Sequence, residues 1–200
     1  MESIARLADR ALSLRVAVLV VATIASAVLQ SIVQQGPLNR LYAASGYPVP
    51  YYVGQTSFSA DKLEGWYRTM DAAGTLGVYW QTQFVDFTFI IATALLHFWL
   101  LVLVARMLPA GTWRRVAIAF VTVGFAAPAF DALENLVSFV ALANPAEINP
   151  VVAIVYSSIA VLKFAGFFAV YLWVAVGVVT AVILRVRARS NPAALIGATR

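Results

Sequence analysis

An all-α membrane protein is the fold class this sequence predicts: a four-transmembrane-helix bundle with an extracytoplasmic loop helix between spans 1 and 2. Three observations predict it. Of 200 residues, 62% are hydrophobic and 12% charged, with a mean hydropathy of +0.85, whereas soluble chains carry about 25% charged residues. Four apolar stretches, about 14–33, 80–105, 114–142 and 151–184, each supply the ~20 residues needed to cross a hydrocarbon core. Finally, arginines gather on one side of that pattern: Arg6, Arg10 and Arg15 before the first span, Arg106, Arg114 and Arg115 between the second and third, and Arg185, Arg187, Arg189 and Arg200 after the fourth.

Taken in order, the first apolar run passes Ala25-Ser26-Ala27, which resembles a signal-cleavage triplet. It continues apolar to Val33, so a retained helix is expected. The outside loop, about 36–78, opens on GYPVPYY, where Pro48 and Pro50 impose an extended course. Ser59 is placed as an N-cap, with Phe58 and Leu63 at the spacing of a hydrophobic staple. A helix over 60–73 follows, ended by Gly74, with Trp66 and Tyr67 at the interface. From Thr75 to Arg106 no proline interrupts, so the second helix should reach ~48 Å and project beyond a ~30 Å core. In the third span, Pro128 with Gly124 one turn earlier predicts a kink that frees a backbone carbonyl towards a pocket. Residues 1–184 form the bundle and 185–200 a basic cytoplasmic tail. Basic residues near span ends are retained inside, which predicts a multi-pass chain of the inner (plasma) membrane with both termini in the cytoplasm.

Absences narrow the chemistry. Without cysteine there are no disulfides, thiolates or Cys-ligated metals. The single histidine, His97, excludes bis-histidine haem ligation within one chain. No H-E-x-x-H or E-x-x-H spacing is present, so neither a metal nor another cofactor is expected. The basic clusters lack interleaved aromatics and argue for topology, not for nucleic acid.

Polar residues inside the apolar spans carry the functional reading. Asp131, Glu134, Asn135 and Ser138 are spaced i, i+3, i+4 and i+7, one stripe of the third helix. Asp86, Thr93 and His97 share a face of the second, and Tyr156 and Lys163 a face of the fourth. Helical rise brings Asp86, the stripe and Lys163 to one depth in the outer half of the bilayer, with His97 ~16 Å deeper as a pocket floor. Each intramembrane charge costs roughly 2.5–3.5 kcal/mol on insertion scales, so these groups must be paired, protonated or hydrated. Lys163 can offset one of three carboxylates; Arg68 from the loop helix, protons or a cationic ligand would supply the rest. A purely structural role, Lys163 pairing with Asp131 or Glu134 to lock three helices, is the competing reading.

Over about Thr56–Lys163 the chain resembles a group of bacterial four-span membrane proteins of uncharacterised function. The shared features are Phe58-Ser59, Gly74-x-x-Gly77-x-Tyr79, Asp86, Asp131-x-x-Glu134-Asn135 and Lys163. The resemblance implies the four-span fold and no particular activity. Val78 stands where the group's pattern leads to an arginine.

The expected function is binding or handling of a lipid or small amphiphile, with Asp86, Asp131, Glu134, Asn135 and Lys163 as polar anchors and His97, Arg68, Tyr156 and Ser138 in support. Membrane lipids and a lipid-like ligand are the expected partners. The alternatives are a membrane enzyme using carboxylate acid/base chemistry and a proton- or cation-coupled transporter.

Overall fold

A computed structural model describes residues 2–190; the last part of the predicted tail, 191–200, lies outside the described residues. The described chain is helical, without strands: α1 (Glu2–Leu12), α2 (Val16–Val33), a π-helical turn (Gln34–Leu38), α3 (Asn39–Ser45), α4 (Tyr51–Gln55), α5 (Ala60–Ala72), α6 (Leu76–Met107), α7 (Thr112–Ala143) and α8 (Pro150–Ser190). Four rods are long and apolar enough to cross a membrane: Val16–Ser45, Leu76–Met107, Thr112–Ala143 and Pro150–Ser190.

The first rod outruns the predicted span. Gln34-Gln35-Gly36-Pro37 reads as a polar exit with a breaker, which set the loop at about residue 36. Instead α2, the π turn and α3 run on to Ser45. Pro37 has no N–H to give the preceding turn, and the wider π turn accommodates its ring. The connection begins at Gly46, whose φ of 64° needs a glycine. After Pro48 and Pro50 it makes a further short helix, α4, absent from the sequence reading.

Packing runs α2 on α6, α6 on α7 and α7 on α8, with α6 also against α8. Between α2 and α8 there is no comparable packing. Glycines set the close approaches: a Cβ at Gly166 of α8 would stand 2.9 Å from Ala127 Cβ on α7.

Two apolar cores result. At the arginine-rich end, Leu19, Leu101, Val104, Val121 and Val170 pack with small residues. The leader adds Ala8 and Ala11 to that core, because α1 is an amphipathic helix whose Ile4, Ala8 and Ala11 recur at i, i+4, i+7. At the loop end, α5 lays Leu63, Tyr67 and Met70 onto Tyr79, Leu142 and Tyr156.

α5 matches its predicted extent within a residue. Ser59 Oγ accepts from Lys62 N–H at 3.3 Å. At the other end Thr75 N–H bonds Met70 O at 2.8 Å while Gly74 takes φ 70°, a left-handed helix stop. Tyr67, expected at the interface with Trp66, is instead fully buried. Two bonds dock this cap: Phe58 N–H to Ser157 Oγ at 3.0 Å, and Ile148 N–H to Glu64 Oε1 at 2.8 Å.

Candidate functional site: a charged layer beside a cavity

Between the two cores lies a polar layer. The α7 stripe is buried throughout: Asp131, Glu134, Asn135 and Ser138 are each at most 4% exposed. Lys163 of α8 reaches it, with Nζ 3.1 Å from Asp131 Oδ1 and also ion-paired to Glu134 Oε2. From α6, Asp86 Oδ2 accepts a 2.6 Å hydrogen bond from Asn135 Nδ2. One ammonium thus serves two carboxylates, and the third carboxylate has only a neutral amide. Lys163 Nζ also stands 4.8 Å from the centre of the Phe164 ring.

The remaining predicted residues divide. Tyr156 and Ser138 are buried on the cap side of the layer, where Tyr156 and Tyr67 come near Glu134. The hydroxyls of Tyr67 and Ser138 are neighbours whose geometry falls short of a hydrogen bond. Burial pushes the Tyr67 phenol well above the ordinary tyrosine value, so it stays a neutral donor. Arg68 is exposed on α5 and does not join the layer. Among the described residues Lys163 is the only cation in it.

His97 makes a hydrogen-bonded interhelical contact, a role a lone intramembrane histidine takes as readily as that of proton carrier. Pro128 cannot donate to Gly124 O, as predicted, but the freed carbonyl does not serve a pocket: His97 Nδ1 lies 2.8 Å from it. A carbonyl only accepts, so Nδ1 carries the proton and Nε2, which has no partner, is the open lone pair. The ring sits edge-on to Phe167 and Tyr171, both centroids 5.6 Å away. Those two side chains and Thr93 form the cavity wall, with His97 behind them.

The cavity holds about 340 Å³, at the small end of ligand pockets. Asp86, Asp131, Asn135 and Lys163 line it; Glu134 lies outside its wall. Facing them across the space are Gln30, Gln34, Asn39 and Tyr42 of the first rod, and Tyr51 and Gln55 of α4. Tyr79, Thr82, Gln83, Phe89 and Thr93 of α6, Phe164, Phe167 and Tyr171 of α8 and Leu38 of the first rod complete it. Its two flanking rods, α2 and α8, have no comparable packing on each other. Thr93 is 2% exposed and its Oγ1 has no partner. Sequence reasoning missed the first rod's contribution, although Ser26, Gln30 and Gln34 repeat at i, i+4, i+8 on one face. Phe89 of α6 gives the wall an aromatic face as well.

The chain matches no family model, no curated protein and no solved structure. Geometry alone therefore speaks for the site. Among the described residues no trio of His, Cys, Asp or Glu is arranged to hold a metal ion. What the arrangement offers is a partly aromatic chamber with amides, one lysine already committed to two carboxylates, and a carboxylate without a cation.

Proposed function

We propose that this protein binds or handles a lipid or small amphiphile, the head in the chamber at Asp86 and Asn135 and the chain leaving between α2 and α8. The observation that carries this reading is the position of the cavity. Its wall takes residues from a charged layer and from two rods, α2 and α8, that have no comparable packing on each other, so an apolar chain can leave between them along Phe164, Phe167 and Tyr171. The enzyme alternative gains little, because a lysine shared by two carboxylates has little charge left for an oxyanion.

Native mass spectrometry of the detergent-extracted wild type tests the reading. A retained amphiphile is expected, and Thr93→Phe, which fills the inner end of the chamber, should release it while the protein stays folded. Wild type with no retained mass, even after incubation with total membrane lipid, would contradict the reading.

In the same proposal both termini face the cytoplasm and the chamber lies in the outer half of the bilayer, supported by the arginine distribution. The absence of native cysteine makes labelling direct. Ala146→Cys and Thr56→Cys should react with an impermeant thiol reagent added outside, and Ala110→Cys and Ser13→Cys should not. The reverse pattern would invert the topology.

A further inference from the structure

The charge distribution in the chamber selects a head group. Lys163 is bound to Asp131 and Glu134 together, so no free cation faces the cavity among its lining residues. Asp86 has one direct partner, the Asn135 amide, and its carboxylate lines the space. Tyr42, Tyr79, Phe89 and Phe164 add aromatic surface to the same wall, and aromatic faces attract cations. Thr93 contributes a buried hydroxyl oxygen without a partner. A phosphate or carboxylate head would meet Asp86 and Asp131 with no uncommitted positive charge to receive it. A neutral head would leave the half-buried Asp86 carboxylate without a cation, or in need of a proton.

We infer that the head group bound here is an ammonium, held by the Asp86 carboxylate within the aromatic wall, with the chamber amides accepting its remaining N–H donors. This rests on the amphiphile reading above and narrows it to organic cations. Two sources share the chemistry: an aminolipid whose ammonium joins an apolar chain without a phosphate, or a smaller soluble amine.

The experiment uses wild-type protein in a maltoside detergent at neutral pH, with native mass spectrometry and thermal unfolding as readouts. The probes are dodecylamine, dodecanol, dodecanoate and butylamine. A charge-assisted contact predicts that dodecylamine binds about tenfold or more tighter than dodecanol, with dodecanoate weakest. Asp86→Asn should erase that preference and leave dodecanol binding unchanged. Because the amine-to-alcohol ratio is read on the wild type, it decides the matter even where the variant does not fold. Butylamine binding as tightly as dodecylamine would support a soluble amine as source; much weaker butylamine binding would support an aminolipid. Equal affinity for dodecylamine and dodecanol overturns the ammonium assignment and leaves the amphiphile site standing. Failure of every probe to bind overturns both.

Discussion

The two ends of this bundle are built by different rules. At the arginine-rich end, α1, α2, α6, α7 and α8 meet through alanine, valine and leucine, and the packing is dry and close. At the loop end, the buried side chains are large and half polar: Tyr67, Tyr79 and Tyr156 fill the space beneath α5, with Tyr42 and Tyr47 alongside. Tyr47 and Tyr79 stack at 5.0 Å between centroids. An interior of tyrosines accommodates hydroxyls, amides and a buried carboxylate; an interior of valines does not. The charged layer lies where these regimes meet, so the arginine-rich half serves as a rigid base and the loop half as the chamber's walls and cap.

Five substitutions, two of them paired with compensating changes, would break or sharpen that contrast. The largest effect belongs to the boundary itself. Lys163→Met orphans two carboxylates and should destabilise by roughly 3–5 kcal/mol, measured by reversible unfolding in micelles. Adding Asp131→Asn or Glu134→Gln should recover part of the loss, and adding both should recover most of it. Strict additivity would show that the three side chains are not energetically coupled.

Next comes the join between α6 and α7. His97→Leu leaves Gly124 O buried without a partner and should cost roughly 1–3 kcal/mol. Pro128→Ala restores a backbone N–H for that carbonyl, so in the Pro128→Ala background the same change should cost clearly less. An unchanged penalty would mean that His97 does not substitute for the missing helix bond.

A comparable or smaller cost is expected for Gly166→Ala, since the new Cβ meets Ala127 backbone at 3.3 Å as well as its Cβ; overpacking of this kind costs about 1–3 kcal/mol. The matching change in the cap, Gly65→Ala, meets nothing within 4 Å and should be neutral or stabilising. Equal effects would erase the distinction between a tight base and an open cap. The smallest effect is Ser59→Ala, about 1 kcal/mol, confined to faster hydrogen exchange in α5 with the base unaffected.

Several of these features were legible in the sequence. The stripe on α7 follows from spacing alone, because i, i+3, i+4 and i+7 can point only one way on a helix. Once burial of charge in lipid is costed, Lys163 is the natural partner for it. α5 was readable from its cap serine and its terminal glycine. Other features required three dimensions. Local propensity treats Gly36-Pro37 as a stop, and only the surrounding packing shows that a π turn carries the helix through. α1 was hidden because its buried face is mostly alanine, a weak periodic signal beside three arginines. The chamber has no local signature, since it depends on α2 and α8 failing to pack, a property of neither helix by itself. Tyr67 was misplaced because tyrosine suits a membrane interface and a polar interior equally well.

The central claim is that the charged layer exists to hold a ligand and not only to lock helices together. One measurement separates these roles: native mass spectrometry, with unfolding stability on the same preparation, of the quadruple variant Asp86→Asn, Asp131→Asn, Glu134→Gln, Lys163→Met, which nearly keeps side-chain volume and removes the layer's charges. The predicted result is a protein restored close to wild-type stability that no longer retains the amphiphile carried by the wild type. A quadruple variant that holds the same molecule as firmly as the wild type would contradict the claim and leave the layer a structural lock.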